Sequence, residues 1–484
     1  MKKTLSFLLK NINNNYNNNY NYNSIIISNI SINSKDIKPG GLFFATPGLK
    51  TNGEKFIAEA ISNGAEAVIT ENLKIKKIKK PILYCDDVRK AISAIAASFY
   101  DNPSESMVIV GITGTNGKTT TSLIVQSILA SAGFKVAQIG TFGIIADGFK
   151  VEKGLTTPDA ISLQSILYEL KNKNFTHVVM EVSSHALDQN RVDNINFKIA
   201  GFTNLSIDHL DYHKDMKSYF NTKLKLFKML NQYSTAVINL DNEYAKELSK
   251  KIETNKIYYS IFEGSDCDVQ NLKSDINGLE ANVKTKKENY IIESNLIGIF
   301  NFENILCSLL ICESLTIDKM HIQRGIFDLK TIPGRLEKFN LSSGAIAILD
   351  YAHTPDAYEK VLNILKKFSP RNNIYVVFGA GGDRDISKRS IMSSIAGKYS
   401  KKCFITPDNP RYEPIDKINN YLIDGIKNKD YEVFDNRKAG IQAALNEAKY
   451  NDVIAILGKG REGYQDIGGR LLPHSDIETI KAYQ

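Results

Sequence analysis

The apolar run Met107-Val-Ile-Val-Gly-Ile112 continues directly into Thr113-Gly-Thr-Asn-Gly-Lys-Thr119, and this junction decides the fold. The run is typical of a buried strand, and apolar residues recur after Thr119 at the spacing of one helix face. A glycine-rich turn between a strand and a helix N-terminus directs backbone N–H groups at phosphate, while lysine neutralises charge and threonine can reach Mg²⁺. The strict G-x-x-x-x-G-K-[ST] spacing fails because Ile112 occupies the first glycine position. We therefore interpret the stretch as a variant phosphate-binding loop.

The composition sets the broad class of protein. The chain has 484 residues, more than one ordinary core organises, so we expect two or three domains. Its 43% hydrophobic and 24% charged residues are typical of globular proteins. The net charge of +8 fits an anionic substrate, although lysines scattered through an Asn- and Ile-rich chain explain it as well. Because the sequence has no basic tract with interleaved aromatic residues, we expect no nucleic-acid partner.

The cysteines and the apolar segments bear on the compartment. The five cysteines are odd in number and no pair has metal-site spacing, so we expect reduced thiols in a cytoplasmic protein. No apolar stretch approaches the length of a membrane span, and no small-residue cleavage site follows the apolar run at Leu5–Leu9. We therefore expect neither a signal peptide nor a membrane partner.

Strand-like and helical stretches alternate from Ile25 onward, which favours an α/β fold with parallel, helix-covered sheets in both larger units. Asn102-Pro103 has the composition of a linker, and Ile332-Pro-Gly-Arg335 marks a second boundary. We accordingly predict domains at residues 1–102, 103–335 and 336–484. The Asn-rich residues 11–23 are low-complexity sequence, which we interpret as a loop or strand connection without function.

Polar clusters follow the ends of six predicted strands. They are Glu181, Asp208-His209, Asp350-Tyr-Ala-His353, Gly381-Gly-Asp-Arg-Asp385, Asp408-Asn-Pro-Arg411 and Gly458-Lys-Gly-Arg-Glu462. Ligands of open α/β sheets bind outside the carboxyl ends of the strands. Six clusters in the same relation to their strands predict one shared site between two domains.

Two of these residues are candidate Mg²⁺ ligands beside Thr119. Glu181 offers a carboxylate, which is an ordinary ligand of this hard cation, whereas His209 offers an imidazole, which is not. For His209 the residues alone favour a hydrogen-bonded structural histidine.

Lys223 falls on the apolar stripe of a helix predicted over roughly 215–230, while neighbouring lysines lie off it. A buried ammonium is costly unless it is paired or its pKa is lowered. A neutral amine could react with CO₂ to give a carbamate, which resembles a carboxylate ligand. The pattern alone favours a lysine that extends along the apolar surface to reach water.

Together these stretches resemble the Mur ligases, the ATP-dependent amide-forming enzymes of peptidoglycan synthesis. The loop matches theirs, including its departure from strict spacing, and the likeness extends from about Ser34 to Glu462. The further matching motifs are Thr156-Thr-Pro-Asp159, Glu181-Val-Ser-Ser-His185, Gln189-Asn-Arg191, Asp208-His-Leu-Asp211, Asn301-Phe-Glu-Asn304 and Pro333-Gly-Arg335. Asp408-Asn-Pro-Arg411 is similar to the signature of members that add meso-diaminopimelate.

The resemblance implies three domains: a small N-terminal α/β domain for the uridine nucleotide, a central ATPase with a mainly parallel sheet, and a C-terminal Rossmann-like domain. It implies ATP, Mg²⁺ and a CO₂-derived carbamate as cofactors. It implies UDP-N-acetylmuramoyl-L-alanyl-D-glutamate and meso-diaminopimelate as substrates of a monomeric enzyme.

The resemblance also assigns residues to roles. The ATP-binding residues that it implies are Gly114, Thr115, Asn116, Gly117, Lys118, Thr119, Thr120, Asn304, Arg335 and Asp350. Those implied for the UDP-linked substrate are Ser34, Thr156, Thr157, Ser183, Gln189 and Arg191. Those implied for diaminopimelate are Arg384, Asp408, Asn409, Pro410, Arg411, Gly458 and Glu462. The implied catalytic residues are Lys118, Glu181, His209 and Lys223, and the implied metal ligands are Thr119, Glu181, His209 and Lys223 as N6-carboxylysine.

Two motifs depart from the family pattern, and the Asn-rich stretch at 11–23 has no counterpart in it. The Asp-Ser-Arg of many relatives is Asn33-Ser34-Lys35 here, so that the charge is kept but the bidentate fork is lost. The common Gly-Lys-Gly-His-Glu has Arg461 in place of histidine.

Three alternatives remain. Folylpolyglutamate synthase has a similar loop, but its substrate does not explain Thr156–Asp159 together with Asp408–Arg411. A lysine-adding Mur ligase is disfavoured because Arg411 would repel the lysine ammonium. A GTPase switch would carry an Asn-Lys-x-Asp signature, which the sequence lacks.

Overall fold

The computed structural model describes residues 1–10, 12, 20–48, 52–72, 79–149, 154–368, 371–426 and 430–484. The loop predicted for residues 11–23 therefore lies largely outside the described residues. Within the described part of the chain, no helix combines the length and the apolar character needed to cross a membrane.

The N-terminal part forms a four-stranded parallel sheet of order β3-β4-β5-β6. Its elements are β1 (Lys3–Thr4), α1 (Leu5–Leu8), β2 (Ile26–Ile27), β3 (Asn29–Ser31), β4 (Gly41–Ala45), α2 (Ile57–Ser62), β5 (Ala65–Thr70), β6 (Ile82–Tyr84) and α3 (Val88–Phe99). Strand β4 is buried along its whole length, as an apolar central strand covered by helices must be. The predicted alternation of strand-like and helical stretches is confirmed in this part of the chain.

The central part is a seven-stranded sheet of order β13-β12-β11-β7-β10-β8-β9, in which only β9 runs antiparallel. Its elements are β7 (Val108–Thr113), α4 (Lys118–Ser131), β8 (Val136–Gly140), β9 (Gly143–Ile145), α5 (Ala160–Asn172), β10 (His177–Glu181), α6 (Ser184–Asp188), β11 (Phe197–Phe202), α7 (Leu210–His213), α8 (Met216–Lys228), β12 (Thr235–Asn239), α9 (Ala245–Lys250), β13 (Asn255–Tyr259), α10 (Ile299–Ser314) and α11 (Lys319–Asp328). Strand β7 lies in the middle because its apolar side chains alternate between two cores, with α4 and α10 on one face and α5 and α8 on the other. The phosphate loop therefore leaves the centre of the sheet.

A three-stranded antiparallel sheet, β14 (Cys267–Asp275), β15 (Gly278–Thr285) and β16 (Asn289–Ser294), is inserted between β13 and α10. Its strands alternate buried and exposed residues, and the buried face packs into the α4–α10 core. The expectation of parallel sheets did not include this insertion.

The C-terminal part is a six-stranded sheet of order β17-β18-β22-β19-β20-β21, parallel except for β17. Its elements are β17 (Glu337–Asn340), β18 (Ile346–Asp350), α12 (Pro355–Phe368), β19 (Ile374–Phe378), α13 (Ser387–Tyr399), β20 (Lys402–Ile405), α14 (Ile415–Gly425), β21 (Asp430–Val433), α15 (Arg437–Glu447), β22 (Val453–Leu457), β23 (Tyr464–Ile467), β24 (Arg470–Pro473) and α16 (Asp476–Lys481). The short hairpin β23–β24 lies beyond the sheet. All five cysteines are buried, and none of them forms a disulfide bond within the described part of the chain, in agreement with the predicted thiols.

Candidate active site

The loop between β7 and α4 is shaped by two glycines with positive φ, Gly114 at 153° and Gly117 at 87°. A Cβ at Gly117 would lie 2.3 Å from Asn304 Oδ1, so the close approach of α10 requires glycine there. Lys118 begins α4, and its Nζ donates to the carbonyl oxygens of Gly114 (2.9 Å) and Thr115 (2.8 Å). Burial lowers the pKa of Lys118, which marks an ammonium held out of water.

A cavity of about 410 Å³ opens above this loop, between the central and C-terminal sheets. The predicted residues that line it are Thr115, Asn116, Gly117, Lys118, Thr119, Thr120, Thr156, Glu181, Ser183, Arg191, His209, Asn304, Arg335, Asp350 and Arg384. The sequence interpretation missed Thr141, Glu303 and Lys360, which also line it. The predicted residues outside its lining are Ser34, Gly114, Thr157, Gln189, Lys223, Asp408, Asn409, Pro410, Arg411, Gly458 and Glu462.

Glu181 ends β10 with its carboxylate fully buried beneath the cavity. It accepts hydrogen bonds from the Thr119 hydroxyl (2.8 Å), the Thr141 backbone N–H (2.8 Å) and the Thr141 hydroxyl (3.1 Å). A Cβ at Gly140 would lie 2.1 Å from Glu181 Oε1, so a side chain at this position would collide with the carboxylate and glycine is required. The carboxylate and the two hydroxyls form the kind of oxygen donor set that suits Mg²⁺.

His209 lies beside this group, after β11, in the left-handed backbone region. Its Nε2 is 3.4 Å from Asp208 Oδ2, and its ring meets that of His185 edge-on at 5.0 Å. Burial lowers the pKa of His209 to about 3, so the imidazole is neutral at physiological pH. A neutral ring nitrogen is the form in which histidine binds a metal.

Asp208 connects the central sheet to the C-terminal sheet. Its buried carboxylate lies 3.1 Å from Lys388 Nζ and 3.7 Å from His353 Nε2. Burial alone would raise the pKa of Asp208, but the contacts with His353 and Lys388 hold it well below its usual range. A second contact, from Asn116 Nδ2 to Asp356 Oδ2 (3.1 Å), crosses the same boundary. The two sheets are thus joined by polar contacts around the cavity.

Lys223 of α8 is fully buried, with 1% of its surface exposed, so the interpretation that it reaches water is wrong. Its Nζ donates to the Gly114 carbonyl (2.8 Å), the same oxygen that Lys118 contacts, and lies 4.6 Å from the Tyr219 ring centre. Burial, reinforced by the nearby Lys118, lowers the pKa of Lys223 well below its usual range. The helix turns this position inward because its apolar stripe packs on the core.

At the end of the cavity that the resemblance assigns to the nucleotide, Arg335 lies over the Tyr351 ring, with Cζ 4.9 Å from the ring centre. Asp350 is buried at the end of β18 and accepts the backbone N–H groups of Leu336 and Ala352, each at 2.7 Å. Burial raises the pKa of Asp350. The Asp350 carboxylate therefore holds the backbone next to Arg335 in place, and this positions Arg335 at the rim of the cavity.

At the opposite end, Arg191 Nη1 donates to the Thr157 carbonyl (2.8 Å) and Nη2 donates to Gln189 Oε1 (2.7 Å). The Thr157 hydroxyl donates to the Glu181 carbonyl (2.8 Å) and accepts the Ser183 N–H (3.0 Å). The structure thus brings these four predicted residues together. Ser34 is not among them, because it lies in the N-terminal part and donates to Glu59 Oε2 (2.6 Å).

A separate group lies at the carboxyl ends of β20 and β22, and we call it the amino-acid cluster after the role that the resemblance implies for it. Its members are Asp408, Asn409, Arg411, Gly458 and Glu462. Asn409 Nδ2 donates to Glu462 Oε2 (3.0 Å), and a Cβ at Gly458 would lie 2.6 Å from Asp408 Oδ2. The Tyr351 hydroxyl joins the cluster to the cavity because it donates to Glu462 Oε1 (3.1 Å) while its residue lines the cavity. Arg384 lines the cavity, with Nη1 3.8 Å from Asp211 Oδ2, and its Cγ lies on the same side of Gly381 as Arg411 Nη1.

The departure at Arg461 has a structural explanation. Its Nε donates to Glu337 Oε2 (2.9 Å), and its Nη2 pairs with Glu337 Oε1. Glu337 is buried at the start of β17 and also accepts the Gly334 N–H (2.8 Å). Arg461 therefore ties the loop that bears Glu462 to the chain that bears Arg335.

Three family models match the chain in order: the Mur ligase family catalytic domain over 26–100, the Mur ligase middle domain over 112–312 and the Mur ligase glutamate ligase domain over 334–460. The chain is 41% identical over 458 residues to the UDP-N-acetylmuramoyl-L-alanyl-D-glutamate–2,6-diaminopimelate ligase of Aquifex aeolicus, covering 94% of this chain and 93% of that protein. It is 36% identical over 464 residues to ligase 1 of the same name from Clostridium acetobutylicum, covering 95% of each chain.

A solved structure of a UDP-N-acetylmuramoyl-L-alanyl-D-glutamate–2,6-diaminopimelate ligase is similar throughout, with a TM-score of 0.70, 29% identity and coverage of 100% of this chain and 99% of that one. The cavity lies between a phosphate loop on a parallel sheet and a second α/β sheet. Together with these relatives, this arrangement defines an ATP-dependent amide ligase. The chain belongs to the Mur ligase family.

Proposed function

We propose that this protein joins meso-diaminopimelate to the D-glutamyl γ-carboxylate of UDP-N-acetylmuramoyl-L-alanyl-D-glutamate at the expense of ATP. One observation carries the proposal: Tyr351 lines the phosphate-loop cavity, and its hydroxyl donates to Glu462 of the amino-acid cluster. The cluster, which includes Arg411, is therefore adjacent to the cavity. The relatives that match nearly the whole chain bear this activity in their names. These relatives favour neither a lysine-adding ligase nor a folylpolyglutamate synthase.

ATP would lie with its phosphates over the loop and its nucleoside between Asn304 and Arg335. Mg²⁺, held by Thr119, Glu181 and His209, would neutralise phosphate charge during transfer. Lys118 Nζ is already in the loop, where it can exchange its carbonyl contacts for phosphate oxygens. Positioning and charge neutralisation are what phosphoryl transfer requires from a protein.

The reaction we propose has two steps. The substrate γ-carboxylate attacks the γ-phosphate of ATP, which forms an acyl phosphate and releases ADP. A free amine of diaminopimelate then attacks the acyl carbon, loses a proton and expels phosphate to leave an amide. The polar contacts of Asp208 and Asn116 across the cavity support a closed arrangement that keeps water from the acyl phosphate.

Lys223 would carry a carbamate in the active enzyme. The neutral amine attacks CO₂ and releases one proton, so that an uncharged amine becomes an anionic carbamate beside Lys118. Two ammonium groups on the Gly114 carbonyl would repel each other, whereas a carbamate anion would attract the Lys118 ammonium, so the close contacts of this loop support the modification.

Several coarser features belong to the same proposal. The four-stranded, seven-stranded and six-stranded sheets fit domains at 1–102, 103–335 and 336–484, with Ser34 contributing to the uridine end. We also retain a cytoplasmic, monomeric enzyme as part of the proposal.

The direct test is phosphate release by purified protein with ATP, Mg²⁺ and the UDP-muramoyl-dipeptide. We expect release to depend on meso-diaminopimelate and to be weak with lysine, and mass spectrometry should detect the UDP-muramoyl-tripeptide. Release without an added amino acid would indicate simple ATP hydrolysis. Equal release with lysine would contradict the assigned amino acid.

Arg411→Ala should remove the selectivity for diaminopimelate while leaving ATP binding intact. A guanidinium binds the distal carboxylate in a charge-assisted way and repels the lysine ammonium, so its loss should raise the KM for diaminopimelate about 100-fold. Competition between the two amino acids measures this change, and Arg411→Lys tests whether charge alone suffices. Arg470→Ala, an exposed arginine of the β23–β24 hairpin, is the matched control. Unchanged selectivity in Arg411→Ala would remove this residue from the amino-acid site.

A further inference from the structure

The turn at 333–335 and the loop at 458–462 meet with no side chain between their backbones. Gly334 has a φ of 65°, and a Cβ there would lie 2.9 Å from the backbone nitrogen of Arg461. Gly460 has a φ of 52°, and a Cβ there would lie 3.2 Å from Tyr351 Cβ and 3.3 Å from the Gly334 carbonyl oxygen. Glycine permits both the positive φ and the close approach. The turn and the loop are therefore in direct contact.

Arg461 and Glu337 bond these two segments to each other. Glu337 Oε2 accepts hydrogen bonds from Arg461 Nε (2.9 Å) and from the Gly334 N–H (2.8 Å), and Oε1 pairs with Nη2 of the same guanidinium. A guanidinium that engages both oxygens of a carboxylate fixes its direction as well as its distance. The histidine that the family commonly has in place of Arg461 carries no such fork, because its two ring nitrogens point in different directions.

Tyr351 makes a second connection between the same segments. Its backbone N–H donates to the Gly334 carbonyl (2.9 Å), and its ring lies under the Arg335 guanidinium. At the other end of the side chain, the hydroxyl donates to Glu462 Oε1 (3.1 Å). Arg335 and Glu462 are thus connected on one side through Tyr351 and on the other through Glu337 and Arg461.

These connections close into a ring of contacts, which we call the Arg461 ring. Its members are Arg335, Tyr351, Glu462, Arg461 and Glu337. Arg335 lines the cavity, whereas Glu462 belongs to the amino-acid cluster. A ligand that restrains one end of the ring also restrains the other end, so a second ligand then costs the protein less conformational entropy.

We propose that Arg461, paired with Glu337, couples the nucleotide end of the active site to the amino-acid end, so that each ligand strengthens the binding of the other. Linkage requires the two effects to be equal. The inference rests on the proposed function, which supplies the two ligands. Arg461 is a positioning residue in this scheme, since it acts through Glu337 and Glu462.

The test measures the Kd of a non-hydrolysable ATP analogue for the full-length protein with Mg²⁺, with and without saturating meso-diaminopimelate. For the unmodified protein we expect the amino acid to lower this Kd about ten-fold, within the usual range of coupling between two sites. Arg461→Ala should reduce the effect to less than about three-fold and leave the Kd without amino acid unchanged. Glu337→Gln should lose the same factor, and the double variant should lose no more, because both changes break one link.

Amide hydrogen exchange gives a second readout. Exchange in residues 458–462 should slow when the ATP analogue binds alone, because the ring transmits the restraint to the loop, and this slowing should be absent from Arg461→Ala. Arg324→Ala is the matched control, since it removes an exposed arginine–carboxylate pair, with Asp328, from α11. It should keep both the ten-fold effect and the slowed exchange, and thermal melting checks that every variant folds.

The inference would be wrong if diaminopimelate left the Kd of the unmodified protein unchanged. It would also be wrong if Arg461→Ala kept the whole effect or if nucleotide left exchange in the loop unaltered. A lower melting temperature of Arg461→Ala with full coupling would leave this residue a purely structural role. Failure of the unmodified protein to use diaminopimelate in turnover would instead contradict the proposed function, so the two failures are distinguishable.

Discussion

Lys118→Ala should lower kcat for phosphate release about 1,000-fold, the magnitude lost when a cation that stabilises phosphoryl transfer is removed. Its Nζ already lies inside the glycine loop, within 2.9 Å of the carbonyl oxygens of Gly114 and Thr115. Burial lowers the pKa of Lys118, so the folded protein holds this ammonium in an unfavourable environment. Such an environment is expected when the ligand itself brings the negative charge that pairs with the ammonium.

Single-turnover formation of ADP from radiolabelled ATP measures the loss directly. Removal of a buried ammonium should not destabilise the protein, so Lys118→Ala should melt at or above the temperature of the unmodified chain. Lys135→Ala, an exposed lysine just after α4, is the control and should retain full activity. If Lys118→Ala formed ADP at the normal rate, the loop would not be the site of phosphoryl transfer.

The sequence predicted the elements around this loop well because their signals are local. An unbroken apolar run must be buried on both faces of a sheet, and β7 is indeed the central strand between two cores. The polar clusters at strand ends were likewise predictable, since parallel strands bring their carboxyl ends to one edge. The cavity joins three of them, at Glu181, Asp208-His209 and Asp350–His353, together with Arg384 of a fourth.

Other features depend on contacts that no local pattern encodes. Thr141 binds Glu181 only because β8 and β10 are neighbours in the sheet, although 40 residues separate the two side chains. The β14–β16 sheet was missed because its alternating pattern was not distinguished from the parallel strands around it. Arg437 is another such case: fully buried, it donates to the Leu457 carbonyl (3.0 Å) and to Thr406 Oγ1 (3.2 Å), which holds the ends of two strands under the amino-acid cluster.

Lys223 shows the same limit most clearly. An apolar stripe indicates that a helix position faces the core, but it does not say whether a long side chain passes through to water. The structure settles that question, since the residue is only 1% exposed and its Nζ donates to the Gly114 carbonyl. A surface lysine would keep its charge, whereas this one has a strongly lowered pKa and a second ammonium on the same oxygen.

Lys223→Ala should therefore lower kcat about 1,000-fold, because the loop loses the anion that a carbamate would place beside Lys118 and the metal. Acetate, a small carboxylate that fits the space left by the side chain, should restore part of the activity in a concentration-dependent way. Lys225→Ala changes a half-exposed lysine of the same helix and should remain active without acetate.

A second readout tests the carbamate without relying on turnover. Protein equilibrated with ¹³C-bicarbonate should show a carbamate carbon resonance in the NMR spectrum, and that resonance should be absent from Lys223→Ala and present in Lys225→Ala. The neutral amine needed for reaction with CO₂ follows from burial and from the neighbouring Lys118 ammonium, so Lys118→Ala should weaken the resonance by letting Lys223 keep its proton. A fully active Lys223→Ala, or an inactive one that acetate does not rescue, would count against a carbamate at this position.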